Sequence, residues 1–133
     1  YIEDHPDIDA DFIRDFAAFL LSDTEILTAE WKSCLEAVVT SAVSLGELRE
    51  YMTVEGECLV RICHYFIYRY YLKAVNDLDI YSRALFIASV CYLSVFISKV
   101  SKGSLAETAR LLSKEIEHNT YNLEQMLNYF SRF

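Results

Sequence analysis

The fold of this chain is decided by residues 80–101, which read IYSRALFIASVCYLSVFISKVS. Within them, the run from Ala84 to Ile97 is interrupted only by two serines, and it is shorter than the roughly 20 residues needed to span a bilayer. A helix that is apolar almost all round is normally buried in a protein core. We therefore predict a central core helix over Ile80–Ser101 and no membrane partner.

Composition favours further helices around this core. The chain has 133 residues, 53% of them hydrophobic, with only three glycines and one proline. So few turn-forming residues leave little room for the many turns of a β-rich fold. Apolar residues also recur at helical spacing elsewhere, as in Phe12, Ile13 and Phe16. The prediction is an all-α protein: a compact bundle of about six helices that forms one domain over residues 1–133.

Local signals indicate where several of these helices begin and end. Three Ser-x-x-Glu patterns, starting at Ser22, Ser44 and Ser104, resemble capping boxes and are expected to start the second, third and sixth helices. An aromatic fourth helix is predicted to run without interruption over about residues 57–75. Gly103 is expected to end the central helix, as glycines do at helix C-termini.

Charge is distributed unevenly along the chain. The net charge is −8, and the first thirty residues hold nine acids against one base, Arg14, whereas the remainder is balanced. Nucleic-acid binding needs a basic stripe that follows the phosphate backbone, so we exclude a nucleic-acid partner. The acidic first segment is interpreted as the solvated face of a helix. Contact with a basic protein partner is the alternative.

Four cysteines lie at positions 34, 58, 63 and 91. They include no Cys-x-x-Cys pair and no Cys/His set with zinc-finger spacing, so no metal site is predicted. Cys58 and Cys63 are five residues apart, which is about 140° around a helix, and they therefore do not share a face. We interpret the cysteines as small, reduced core residues, as is typical of a cytoplasmic protein.

The stretch CHYFIYRYYLK at residues 63–73 carries more aromatic side chains than a solvent-facing helix would. With 3.6 residues per turn, a core seam lies on one side, whereas Tyr65, Tyr68 and Arg69 lie on the other, polar side. One interpretation is structural: the tyrosines pack, and Arg69 pairs with an acid of a neighbouring helix. The other is functional: the three residues form a pocket wall that positions a ligand.

A second candidate segment is Glu115-x-Glu117-His118. A histidine beside acids can transfer a proton or ligate a metal. No second histidine lies one turn away, as a helical metal site would require, and a histidine at a helix end is also favoured by the helix dipole. Glu117 and His118 are the catalytic candidates, with this structural alternative open.

These two segments resemble the C-terminal part of the flagellin lysine-N-methylase family. The resemblance runs through a Tyr-Phe-x-x-Arg-Tyr-x-Leu-Lys-Ala pattern at residues 65–74 and through DIYSRA at residues 79–84. It ends in KEIEH at residues 114–118, followed by NLE at residues 122–124. Two departures are the residues Thr120-Tyr121, where the family has an acidic pair, and Lys114, where it has an arginine.

The resemblance implies that the chain is the C-terminal helical fragment of a larger bacterial, cytoplasmic protein. That protein would transfer methyl groups from S-adenosylmethionine to lysines of a flagellin-like protein substrate. The chain would shape the substrate site or dock the protein substrate. Tyr65, Tyr68 and Arg69 would bind the substrate, and Glu117 and His118 would be catalytic. The family carries an upstream cysteine-rich motif that looks metal- or cluster-binding, and nothing like it occurs here. S-adenosylmethionine and any metal or cluster are thus expected in the full-length protein, and the fragment alone is expected to be inactive.

Two other functions remain open from the sequence. The chain could be a non-catalytic interaction module that binds a protein partner through its acidic head. It could instead be the small-ligand-binding helical domain of a bacterial regulator, with a buried cavity lined by Tyr65, Tyr68 and Tyr92.

Overall fold

The computed structural model describes residues 8–26, 28–71, 80–117 and 120–131, with all of their side chains except those of residues 70, 71, 80, 116, 117 and 120. Over these ranges the chain forms helices and no strand, which confirms the predicted all-α bundle. The helices are α1 (Ala10–Asp23), α2 (Ala29–Thr40), α3 (Leu45–Val54), α4 (Gly56–Phe66), α5 (Ile80–Ser101), α6 (Leu105–Glu117) and α7 (Thr120–Phe130), and a π-helical turn, Ile67–Tyr71, follows α4.

Helix α5 is the centre of the bundle, as predicted. Each of the other six helices packs against it, and it buries Phe86, Leu93 and Phe96 completely. Among the described residues, α5 is the one helix long and apolar enough to cross a membrane. Of its most apolar stretch of 18 residues, 67% is buried inside the bundle. The apolar pattern of α5 is therefore matched by protein neighbours over most of its surface.

An aromatic cluster joins α1 to α7. The Phe16 ring centroid lies 4.9 Å from that of Phe130, and the Phe19 centroid lies 4.4 Å from that of Tyr129. Phe12 also stacks on Phe130 at 6.4 Å. Aromatic pairs at these separations add to the stabilisation from buried area. The first and last of the described helices are thus in direct contact.

Two of the three predicted capping boxes are confirmed at their N-caps. Ser44 Oγ accepts the Glu47 N–H at 3.2 Å, and Ser104 Oγ accepts the Glu107 N–H at 3.1 Å. The prediction for Ser22 is wrong, because α1 continues to Asp23 and Ser22 lies inside it, with its hydroxyl bonded to the Ala18 carbonyl. Helix α2 begins later, where Thr28 Oγ1 accepts the N–H of Trp31.

The aromatic helix is not one continuous α-helix. Helix α4 ends at Phe66, and residues 67–71 form the π-helical turn, so the prediction of 3.6-residue geometry is wrong from Ile67 onward. The π-helical turn lies within a run of aromatic residues. Large aromatic side chains lose χ1 freedom against the preceding turn of an α-helix, which disfavours regular α-helical geometry there. The predicted continuation of this helix from residue 72 to Val75 lies outside the described residues.

Lys102, and not Gly103, takes the left-handed position at the end of α5. Lys102 has φ 58°, whereas none of the described glycines has a positive φ. Ser101 is the last helical residue, so the chain changes direction at Lys102, the residue that follows it. Gly103 instead accepts a hydrogen bond from Ser98 Oγ at 2.8 Å through its carbonyl oxygen. The prediction that Gly103 ends the helix is off by one residue.

The lone base of the acidic first segment has a structural role. Arg14 Nε donates to the Ser41 carbonyl oxygen at 2.8 Å, and its Nη2 donates to that of Val43, so the guanidinium ties α1 to the connection between α2 and α3. The same side chain pairs with Asp11 at 2.8 Å and lies over the Phe96 ring. Hydrogen bonds from a charged donor are stronger than neutral ones.

Candidate functional site

An open groove of about 1360 Å³ lies between α2, α4 and α6. Its floor consists of buried side chains from two helices, Ile62 and Phe66 of α4 and Thr108 and Ala109 of α6. Each helix presents these residues because its apolar stripe packs toward α5 and its neighbours. The groove therefore has a largely apolar floor that the core itself holds in place.

Charged side chains stand along the rim of this groove. Glu30 comes from α2, Arg61 from α4, and Glu107, Arg110 and Lys114 from α6. Glu107 and Arg110 form an exposed ion pair at 3.7 Å, which contributes little to stability. The rim thus carries both signs of charge around an apolar floor.

Two thiols line the groove between rim and floor, Cys34 on α2 and Cys58 on α4. Burial raises the pKa of the Cys34 thiol, and the negative charge of Glu30 raises it further. Because the thiolate is the reactive form of cysteine, Cys34 is a poor nucleophile near neutral pH. Its chemistry suits packing against a bound segment better than covalent catalysis.

One of the three predicted substrate-binding residues lines the groove. Tyr65 lines its wall and is 45% exposed. Tyr68 is 80% exposed on the π-helical turn and is not part of the groove, and Arg69 is exposed on the same turn. Tyr92 is half-buried on α5 and does not line the groove either. Of these residues, Tyr65 is the one that lines the groove.

The two predicted catalytic residues are not placed by the structure. His118 lies outside the described residues, and Glu117 is the last residue of α6 with its side chain also outside them. Lys114, which lines the groove, precedes Glu117 by three residues. Residues three apart on a helix are neighbours, so the backbone of Glu117 lies about one turn beyond the groove. Their catalytic role stays a prediction.

Two other residues of the same segment turn out to be structural. Glu115 and Asn122 are each 1% exposed. Glu115 Oε1 accepts a hydrogen bond from Thr28 Oγ1 at 3.1 Å, and Asn122 bonds to the main chain of Glu25. Both contacts hold the connection between α1 and α2. The sequence motif that contains them is thus partly explained by packing.

A cysteine pair outside the groove was missed by the sequence reasoning. Cys63 Sγ on α4 lies 3.2 Å from Cys91 Sγ on α5, and all four cysteines are free thiols. The hydrogen bond between the two thiols lowers the pKa of Cys63 to about 7, although partial burial opposes this. The same interaction raises the pKa of Cys91, and burial raises it further. A spacing of 28 residues between the two gave no local signal.

The described residues hold no cluster of metal-ligating side chains. Among them, no three His, Cys, Asp or Glu side chains lie close enough to hold a metal ion. The glycines, Gly46, Gly56 and Gly103, are scattered and form no phosphate- or nucleotide-binding loop. With its apolar floor and charged rim, the groove is a surface that can bind a partner.

Comparison of the chain with protein-family models, with curated proteins and with solved structures finds no match. The geometry of the groove is therefore the basis for a functional proposal.

Proposed function

We propose that this chain is a protein-docking helical domain whose groove between α2, α4 and α6 receives a segment of a partner polypeptide. The observation that carries the proposal is the size and openness of the groove. Its volume of about 1360 Å³ exceeds the roughly 300–1,000 Å³ of small-molecule pockets, which also enclose most of their ligand. A polypeptide segment, which needs an open trough and more room, fits these dimensions better.

The distribution of polarity supports the same occupant. An apolar floor inside a polar rim is the usual anatomy of a protein interface. The groove is bounded by three helices, so an amphipathic helix could place its apolar side on Ile62 and Ala109 and its polar side at the rim. Carboxylates and basic groups on the rim would then select the register of the bound segment.

The resemblance to flagellin lysine-N-methylases extends this proposal. In that form, the chain is the substrate-docking domain of a larger S-adenosylmethionine-dependent methyltransferase, and the groove holds a lysine-bearing segment of a flagellin-like protein. Tyr65 on the wall offers an aromatic face to a lysine ammonium, and Glu30 and Glu107 offer carboxylates. The methyl donor and any metal or cluster belong to the rest of that larger protein, and no methyl-transfer step is assigned to the described residues.

A binding measurement with matched surface variants tests the docking role. The probe is a fluorescently labelled helical segment of flagellin that contains lysines, and its anisotropy is followed while the 133-residue chain is added. Ala106→Arg places a long charged side chain in the groove, and Ala18→Arg makes the same change on the exposed face of α1. We expect Ala106→Arg to weaken binding about tenfold and Ala18→Arg to change it by less than about twofold.

The same assay separates the two parts of the proposal. If the segment binds and both variants bind it as tightly as the wild type, the docking role of the groove is wrong, whereas a segment that fails to bind contradicts the flagellin-like occupant. A second probe in which every lysine is replaced by glutamine tests the lysine preference. Equal binding of the two probes would contradict the methylase-like extension and leave the docking role in place.

A further inference from the structure

A second chemical feature of the molecule lies between α4 and α5, outside the groove. Cys63 and Cys91 belong to different helices, and their sulfurs are 3.2 Å apart. A disulfide bond is about 2.05 Å long, so the two sulfurs need to approach by only about 1 Å. Neither Cys34 nor Cys58 has a sulfur partner in the part of the chain that the structure describes.

The two thiols differ in the way that a reactive pair requires. Cys63 is half-buried and can meet a solute, whereas Cys91 is buried behind it. The hydrogen bond shared with Cys91 favours the thiolate of Cys63, which is the form that attacks an oxidant. Redox-active cysteines are typically accessible, of low pKa, and placed next to a resolving cysteine. Cys63 fits the role of the cysteine that attacks the oxidant, and Cys91 fits the role of the resolving cysteine.

We propose that Cys63 and Cys91 form a reversible disulfide that fixes α4 to the central helix α5. This inference goes beyond the docking function and does not depend on it. The oxidant is a peroxide, and hydrogen peroxide is the simplest member of that class. Reduction by a dithiol restores the two free thiols and releases α4 from the covalent constraint.

The reaction balances in two steps. The Cys63 thiolate attacks one oxygen of hydrogen peroxide, the O–O bond breaks, and a sulfenic acid and hydroxide form. That hydroxide removes the proton of Cys91 to give water, and the Cys91 thiolate attacks the Cys63 sulfur, so that the S–O bond breaks and the disulfide and a second hydroxide form. The second hydroxide takes up the proton that Cys63 lost when it ionised. Two thiols and one hydrogen peroxide thus give one disulfide and two waters, with the sulfurs oxidised and the peroxide oxygens reduced.

The sequence allows this link to be identified without ambiguity. Trypsin cleaves after Lys32, Arg49, Arg61, Arg69, Arg83 and Lys99, which places each cysteine on its own peptide. Cys63 falls on residues 62–69 and Cys91 on residues 84–99. The 133-residue chain is treated with one equivalent of hydrogen peroxide, alkylated, digested without reductant and examined by mass spectrometry.

We expect an intact mass lower by two hydrogens, a 62–69/84–99 cross-linked peptide as the main product, and complete reversal by dithiothreitol. The oxidised protein should also unfold at a higher temperature than the reduced one, because the cross-link constrains the unfolded chain. Cys58→Ser, which removes a thiol from the same helix, should leave the yield of this link unchanged. Cys63→Ser should abolish it, and Cys91→Ala should leave Cys63 as a sulfenic acid that dimedone traps.

Cys91 is buried, so Cys91→Ala requires a folding control by circular dichroism, and Cys63→Ser, at a half-buried site, provides an independent test. The proposal is overturned if wild-type oxidation yields mainly Cys34–Cys58 or intermolecular links. It is equally overturned if dimedone traps as much Cys63 in the wild type as in Cys91→Ala, since Cys91 would then not resolve the sulfenic acid.

Discussion

The side-chain amide of Asn122 and the main chain of Glu25 form two reciprocal hydrogen bonds. Asn122 Nδ2 donates to the Glu25 carbonyl oxygen at 2.6 Å, and the Glu25 N–H donates to Asn122 Oδ1 at 2.7 Å. An amide side chain, with one donor group and one acceptor, can satisfy both main-chain groups of a single residue in this way. Asn122 on α7 therefore satisfies the main-chain donor and acceptor of Glu25, as a neighbouring main chain would, and fixes the connection between α1 and α2.

Removing this amide should destabilise the protein measurably. Asn122→Ala leaves the N–H and carbonyl of Glu25 without these two bonds, and we expect the free energy of unfolding to fall by about 2–3 kcal/mol. The measurement is urea unfolding followed by circular dichroism. Asn128→Ala, at an exposed position of the same helix, is the matched control and should change it by less than about 0.5 kcal/mol. Equal effects of the two variants would contradict the role given to Asn122.

The end of α5 offers a test at two adjacent positions. Lys102 has φ 58°, where a side chain is strained, so Lys102→Gly should raise the free energy of unfolding by about 0.5–1 kcal/mol. At Gly103 an added Cβ would lie 3.5 Å from Ser101 Oγ, an ordinary contact. Gly103→Ala should therefore be neutral or slightly stabilising. A clear loss of stability in Gly103→Ala would instead favour the role for Gly103 that the sequence predicted.

Ser89, in the middle of α5, carries a hydroxyl that is fully buried and has no hydrogen-bond partner among the described residues. Burial without a partner costs free energy, so Ser89→Ala should raise the thermal unfolding temperature and the unfolding free energy by about 1 kcal/mol. The control is Ser94→Ala, since the Ser94 hydroxyl is also buried but donates to the Val90 carbonyl at 3.0 Å. Ser94→Ala should give a smaller gain or none, and a larger gain at Ser94 would run against this explanation.

The reactivity of Cys63 should depend on pH in a characteristic way. A lowered pKa means more thiolate at a given pH, so the alkylation rate of Cys63 by iodoacetamide should reach half its maximum near pH 7. Cys91→Ala removes the hydrogen bond that favours this thiolate, and the midpoint should then rise toward about 8.5, the value of an ordinary cysteine. Peptide-resolved alkylation between pH 5.5 and pH 9.5 measures both midpoints. An identical midpoint in the variant would show that Cys91 does not set the acidity of Cys63.

Tyr65 and Tyr68 allow the groove to be distinguished from the neighbouring surface of α4 and the π-helical turn. Both are exposed tyrosines three residues apart, and only Tyr65 lines the groove. With the labelled flagellin segment, Tyr65→Ala should weaken binding about tenfold, because aromatic side chains often dominate interface energy. Tyr68→Ala should change it by less than about twofold. The opposite order would move the docking surface out of the groove and toward the π-helical turn.

The parts of the fold that the sequence predicted are those set by local or continuous patterns. Helix α5 is apolar on almost all sides between Ala84 and Ile97, and a helix of that kind is normally buried in the core. Ser44 and Ser104 each precede a helix whose first turn they cap. Ser22 has the same pattern but fails, because burial of Leu20 keeps α1 helical to Asp23. The local pattern contains no information about that tertiary contact.

The candidate site was harder to predict, because its parts come from separate helices. The aromatic excess around Tyr65 pointed to one wall of the groove, but the other walls are ordinary residues of α2 and α6. The cysteine pair likewise depends on how α4 lies against α5, and neither Cys63 nor Cys91 belongs to a motif. Such features depend on packing between helices that are distant along the chain, which single-sequence periodicity does not specify.

The aromatic contacts between α1 and α7 also bear on the order in which the chain becomes able to fold. During synthesis on the ribosome, α1 emerges before α7, and the rings of Tyr129 and Phe130 that pack on Phe16 and Phe19 emerge only with α7. Until then the nascent chain exposes an aromatic helix face, the kind of surface that chaperones recognise. The N-terminal helix should therefore gain its final protection from proteases only after α7 has been made.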